Sequence, residues 1–254
     1  MSTSPNSSNI TADLPYWVAL STFTKFGPKR FSRLHKYFPN MQTAWSATVN
    51  ELKAAGIDEQ VAEEFTSHRQ TIEPEAEMAK LASEKINVVT LADENYPRLL
   101  KEIYDAPPVL YYRGELPDNI NFCLAVVGSR RYTSYGQQVA QSLVSQLASA
   151  GLVIVSGLAI GIDALAHSAC LESKGITIAV LGSGLDRQNI YPVANRRLAE
   201  KILAQNGLLV SEYPLGTPPL KHHFPQRNRL ISGLSLGTLI IEASADSGAL
   251  ITAS

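Results

Sequence analysis

In the later part of the chain, short unbroken apolar runs alternate with longer segments whose apolar positions recur at helical spacing. Residues 122–127 form an apolar run with no alternation, as a strand buried on both faces requires. Comparable runs at 152–155, 176–181, 208–210 and 238–242 predict four more strands. Amphipathic segments at 134–150, 162–173 and 193–205 predict the helices between them. Gly151, Gly175 and Gly207 each stand just past one of these helices, where a left-handed cap favours glycine. Each strand–helix–strand step implies a right-handed parallel crossover, so the pattern reads as a doubly wound, mostly parallel α/β sheet of Rossmann-like type.

The first part reads differently. From residue 14 to about residue 69 the apolar positions are helical, and the pieces are short and punctuated by Gly27-Pro28, Pro39-Asn40 and Gly56. This predicts a small all-helical domain with Phe31, Leu34 and Phe38 in its core. A charged helix over 73–85 and a strand over 86–91 bridge to the sheet. The double proline Pro107-Pro108 followed by an apolar–aromatic run predicts an edge strand with packing tyrosines. Residues 1–12, rich in Ser, Asn and Thr, are expected to be a disordered leader. The expected division is therefore 1–12 leader, 13–72 helical domain and 73–254 α/β domain.

Composition narrows the function. A chain of 254 residues with 45% hydrophobic content can bury two cores, and its net charge of −1 gives no blanket attraction to polyanions, so local charge decides. No run reaches the length of a membrane span and the polar start is unlike a secretory signal, which predicts a cytoplasmic protein. Cys123 and Cys170 form no paired motif and read as small core residues.

The candidate chemistry lies in turns at the carboxyl ends of the strands, where parallel sheets collect ligands. Gly128-Ser129-Arg130-Arg131 joins glycine, which admits close backbone approach, to two arginines suited to phosphate. A second glycine turn spans Ser156 to Asp163 and a third Gly182 to Arg187. Neither of the first two is a dinucleotide fingerprint, and no P-loop occurs. A long proline-bearing loop over 215–225 leads into Lys221-His222-His223-Phe224-Pro225-Gln226-Arg227-Asn228-Arg229, inside an acid-free run from Tyr213 to Ile241. Cations with an embedded ring suit single-stranded nucleic acid, the cations meeting phosphates and the ring offering a base a stacking face. The adjacent His222 and His223 lack further ligands nearby in sequence, so no metal is expected. A second basic cluster, Lys25, Lys29, Arg30, Arg33 and Lys36, reads as a solvated face, with a helix-hairpin-helix-like DNA surface as the alternative.

Together, residues 125–130, 156–167, 180–186 with Ile190-Tyr191-Pro192, 211–214, 224–235 and 247–253 resemble the DprA/Smf family of bacterial DNA-processing proteins. The helical part resembles that family's SAM-like domain more loosely. The resemblance implies a homodimeric single-stranded-DNA-binding protein, without catalysis or cofactor, that delivers incoming DNA to a RecA-type recombinase in natural transformation. It implies phosphate contacts from Arg130 and from the turns at Gly128, Ser129, Ser156 and Gly157. Lys221 and Phe224 would complete the pocket, with Arg227 and Asn228 of the same motif contributing. Independently of the resemblance, residues 247–253 read as a loop entering an unfinished helix, so a further strand is expected beyond Ser254. The alternative is a nucleoside-phosphate hydrolase of the lysine-decarboxylase-like Rossmann group, but Gly233 to Glu242 fits that group's motif with one residue too many between Thr238 and Glu242. Glu242 is therefore expected to be structural, accepting loop amides or pairing with Arg227 or Arg229.

Overall fold

The computed structural model describes residues 7–117 and 120–243. Its described residues form two compact units, one within Met1–Glu94 plus Asp105–Leu110, the other within Asn95–Tyr104 plus Tyr111–Ser254. The chain passes between the two units more than once.

The first unit contains α1 (Ser7–Ser21), α2 (Pro28–Tyr37), α3 (Met41–Ser46), α4 (Val49–Ala54), α5 (Glu59–His68), α6 (Pro74–Ser83) and β1 (Asn87–Thr90). Helix α1 starts inside the segment expected as a leader, whose residues 1–6 lie outside the described residues. Local chemistry sets the helix starts. Asn40 accepts the Thr43 amide at 2.8 Å, Thr48 and Glu51 form a capping box, and Pro28 opens α2 where its missing N–H costs nothing. Phe31, Leu34 and Phe38 are buried, and Phe31 stacks on Trp17 with ring centres 5.3 Å apart. The basic cluster is largely engaged: Lys25 pairs with Glu64, Arg30 with Asp58 at 2.7 Å, and Arg33 donates to the Gly56 carbonyl at 2.5 Å. That supports a solvated face.

The second unit continues with α7 (Arg98–Lys101), β2 (Val109–Arg113, which begins in the first unit), β3 (Cys123–Gly128), α8 (Ser134–Ser149), β4 (Val153–Ser156) and α9 (Ile162–Glu172). It ends with β5 (Thr177–Val180), α10 (Arg196–Ala204), β6 (Leu208–Ser211), α11 (His223–Gly233) and β7 (Thr238–Ile241). The seven-stranded sheet has the order β1-β2-β6-β5-β4-β3-β7. The neighbours from β6 through to β7 are parallel, whereas β2 runs antiparallel to β6 with Tyr111 opposite Ser211. The mostly parallel α/β sheet is thus observed, with β2 inside β1 rather than at the edge.

Strands β4, β5 and β6 are buried at every position, which is why they read as unbroken apolar runs. Val126, Ile154 and Ile241 of the sheet pack against Ala140 and Val144 of α8 and against Ile162 and Ala166 of α9. Both cysteines are buried and unpaired.

Two expectations change. The left-handed residue after α9 is Lys174 and after α10 is Asn206, each one before the expected glycine; only Gly151 itself has a positive φ, at 89°. Gly175 and Gly207 are small for packing, because an added Cβ would come within 2.7 Å of Ala148 Cβ and of the Thr177 carbonyl respectively. The basic run from Lys221 is also mostly helical rather than loop, since α11 starts at His223 and Pro225 falls in its first turn, where proline is tolerated. Residues 247–253, expected to enter another helix, lie outside the described residues.

Candidate nucleic-acid interface

Along the carboxyl ends of β3, β4 and β5 the predicted turns come together, but the residues within them divide into scaffold and surface. Gly128 is scaffold: a Cβ there would lie 1.9 Å from the Ile241 carbonyl and 2.8 Å from the Ile162 side chain. Ser129 gives its amide to the Ile241 carbonyl at 3.3 Å and accepts the Ile162 amide at 3.1 Å. Its hydroxyl donates to the Arg131 carbonyl at 2.6 Å, closing a tight turn. That turn leaves Arg130 and Arg131 exposed, with no ion-pair partner among the described residues.

The second turn is organised from within. Ser156 is buried and donates its hydroxyl to the Val126 carbonyl at 2.6 Å. Asp163, in the first turn of α9, accepts the Gly157 amide at 3.0 Å and the Ala159 amide at 3.4 Å. Arg227 reaches in from α11, donating to the Gly157 carbonyl at 2.8 Å and to the Val180 carbonyl. A Cβ on Gly157 would sit 2.5 Å from the Arg227 guanidinium and 2.8 Å from the Asp163 carboxylate, so only glycine fits between them. Burial raises the Asp163 carboxyl above its ordinary value, opposed by the charge of Arg227, and pulls Arg227 down to about 10. Beside them His167 is fully buried. Thr177 donates to the Ile154 carbonyl, so it accepts from His167 Nδ1–H at 2.7 Å; Nε2 has no partner among the described residues, and burial pushes the imidazole down to about 3.

Several of the groups expected to contact phosphate have partners within the fold. The Ser129 and Gly157 amides and the Ser156 hydroxyl are already committed inside the fold, and Arg227 is a buried clamp rather than a surface cation. Asn228 is half-buried, its side-chain oxygen 3.4 Å from Arg227 Nε. Arg229 is neutralised by Glu212 through two contacts of 2.8 and 2.6 Å; Glu212 lies one residue before the acid-free window.

Arg130, Lys221 and Phe224 remain on the surface. Lys221 is exposed, with no ion pair among the described residues. Phe224 is half-buried against Gly182, its ring centre 5.6 Å from that of Tyr191, which is 49% exposed. Tyr191 carries no role in the sequence reading; its signal was an aromatic among glycine turns. His223 is buried behind Phe224, donates from Nδ1 to the Gly182 carbonyl at 3.1 Å, and stacks on Tyr213 with centres 4.0 Å apart. No group of three or more His, Cys, Asp or Glu among the described residues could hold a metal.

At the end of β7, Glu242 adopts φ 51° and accepts the Thr133 amide at 2.7 Å and the Thr133 hydroxyl, while Thr133 itself caps α8. These bonds hold the Glu242 carboxyl below its usual range. It lies against Gly136, where a Cβ would come within 2.3 Å. The expected loop-amide role is observed, and neither Arg227 nor Arg229 is its partner.

The family model for DNA recombination-mediator protein A matches residues 87–254. The chain is 42% identical over 243 residues to Protein Smf of Synechocystis, covering 94% of this chain and 60% of that protein. It is 39% identical over 216 residues to DNA processing protein DprA of Bacillus subtilis, covering 85% and 69%. The X-ray structure of DprA from Streptococcus pneumoniae superposes with a TM-score of 0.75 at 35% identity, over 94% of this chain and 81% of that one. A structure of Helicobacter pylori DNA processing protein A, described for its single-stranded DNA binding mode, gives 0.59 at 35% identity over 66% and 74%. The chain spans 53–69% of the length of the Synechocystis, Escherichia coli and Bacillus subtilis relatives. On a family match over most of its length and this degree of identity, the chain belongs to the DprA/Smf family of DNA recombination-mediator proteins.

Proposed function

We propose that this chain binds single-stranded DNA along the carboxyl rim of its sheet, without catalysis, and hands it to a RecA-type recombinase as a cytoplasmic homodimer. The observation that carries the reading is the pairing of two cations without ion pairs among the described residues, Arg130 and Lys221, with the aromatic pair Phe224 and Tyr191 on one rim. Arginine holds phosphate by its fork, lysine as a point charge, and a ring takes any base by its face. Phosphate recognition then rests mainly on side chains, since the Ser129 and Gly157 amides have partners within the fold. The Helicobacter pylori relative, with its single-stranded DNA binding mode, supports the ligand class. Membership of a recombination-mediator family supports the recombinase as partner. No helix among the described residues is long and apolar enough to cross a membrane.

The hydrolase alternative is disfavoured by Glu242, whose carboxylate is engaged by the Thr133 amide and hydroxyl at the start of α8. Fluorescence anisotropy with a single-stranded oligonucleotide, its duplex and a free nucleotide, at two salt concentrations, tests the proposal. Tight, salt-sensitive binding of the single strand is expected. Preference for the free nucleotide would overturn it.

A further inference from the structure

The turn that presents Arg130 continues into a second aromatic and cationic surface. Arg131 is exposed beside Arg130, Tyr132 is 40% exposed, and Tyr135, in the first turn of α8, is 72% exposed. Neither tyrosine belongs to the buried stripe of α8, which runs through Gly136, Ala140, Val144 and Ala148. Single exposed rings are ordinary. Two within four residues, next to two arginines without ion-pair partners among the described residues, in a stretch of chain with no Asp or Glu from Asn119 to Ile162, concentrate rings and cations around one turn, where Glu242 is bound to Thr133.

The neighbouring amides do not offer an anion site of their own. Glu242 already accepts the Thr133 amide, and the Thr133 hydroxyl accepts that of Gly136 at 3.1 Å. A polyanion arriving here therefore meets guanidinium groups and ring faces, and it must pass beside the Glu242 carboxylate that already occupies the helix end. The position also matches the rim. Phe224 packs against Gly182 just beyond β5, and β5, β4 and β3 are adjacent parallel strands, so the start of the β3 turn lies two strand spacings away, roughly 10 Å.

We propose that Tyr132 and Tyr135, with Arg131, form a second base-stacking station for single-stranded nucleic acid. A strand would cross the sheet rim from Phe224 and Tyr191 past Arg130 to the start of α8. This rests on the single-strand reading of the same rim. It assigns that strand a direction across the sheet order and a length greater than one pocket, within the roughly 4–16 nucleotides that such grooves commonly hold.

The test is anisotropy with a long oligothymidylate, a short one and a long abasic strand of the same backbone, on wild type, Tyr132→Ala/Tyr135→Ala, Tyr132→Phe/Tyr135→Phe and Arg130→Ala. Because the rings are exposed, the melting temperature should stay unchanged in the tyrosine variants. The alanine pair should weaken the long oligothymidylate about five-fold or more, leave the abasic strand unaltered, and be rescued by the phenylalanine pair. If Arg130→Ala binds weakly while the alanine pair binds the long strand like wild type, the second station is wrong and the rim reading stands. Equal losses on abasic and base-bearing strands would also overturn stacking here. If wild type ignores all three strands, or Arg130→Ala binds them like wild type, the rim reading itself fails and takes this inference with it.

Discussion

Arg227 on α11 donates to the carbonyl of Gly157 at 2.8 Å, while Asp163 accepts the amide of the same glycine at 3.0 Å, so one residue is gripped on both sides by a buried cation and a buried acid. Removing one member of a buried charged pair leaves the other uncompensated, which typically costs about 3–5 kcal/mol. Arg227→Ala should lower the unfolding free energy by about that amount, read by urea denaturation. A variant as stable as wild type would show that Asp163 does not depend on it.

Arg130 stands on the opposite footing, exposed and without an ion pair among the described residues. Arg130→Ala should weaken single-stranded oligonucleotide binding about ten- to hundred-fold, the worth of a hydrogen bond to a charged group, with an unchanged melting temperature. Unaltered affinity in the folded variant would remove Arg130 from the site.

Lys221 and Phe224 should separate by salt. Each phosphate neutralised contributes about −0.7 to the log–log salt slope for single strands. Lys221→Ala should flatten that slope, whereas Phe224→Ala should lower affinity at every salt concentration and leave the slope alone. Identical slopes in the wild type and Lys221→Ala proteins would rule the lysine out as a phosphate contact.

Glu242→Gln tests binder against hydrolase. The lost carboxylate at the start of α8 should lower the melting temperature, with DNA affinity held within a few-fold, and wild type should release no base from nucleoside monophosphates. Base release that vanishes in Glu242→Gln would favour the enzyme.

His167 predicts an acid sensitivity. Burial holds it neutral down to about 3, whereas in the unfolded chain it titrates near 6.5. The unfolded state therefore binds the extra proton, and stability falls as pH drops from about 6.5 towards 3, by up to about 1.4 kcal/mol per pH unit for this one group. His35 and His223 are shifted in the same direction, by burial, but they are shared with a His167→Gln variant. The difference in slope between wild type and that variant, from urea unfolding between about pH 7 and about pH 5, isolates His167. Parallel slopes would show that His167 does not stay neutral in the fold.

The strands were legible because burial on both faces leaves few polar positions, giving runs such as 208–210, whereas Phe122, at the head of the 122–127 run, lies outside β3 and is exposed. The turns were legible as turns but not as scaffold. The partner that occupies the Gly157 carbonyl is 70 residues away and the one that receives the Thr133 amide is 109 away, so no local spacing announces them. Arg227 and Arg229 looked like surface cations because cationic residues in a proline-bearing stretch read as loop. Their partners, Asp163 through charge and Glu212 through a bidentate pair, are supplied by tertiary structure. Arg130 was legible as one of two arginines in a strand-end turn, and the family resemblance singled it out.

Phe224 and Arg227 share the start of α11, and Arg227 is anchored in the turn after β4. The backbone that carries the ring is therefore fixed by the fold itself, and on the proposed single-strand reading it is in place before any strand arrives. If the rim binds a single strand as proposed, α11 needs little further ordering at association, so the entropy lost falls mainly on the nucleic acid. Encounter then needs no rearrangement of α11, and its rate should be governed by long-range attraction and respond to ionic strength from the first contact.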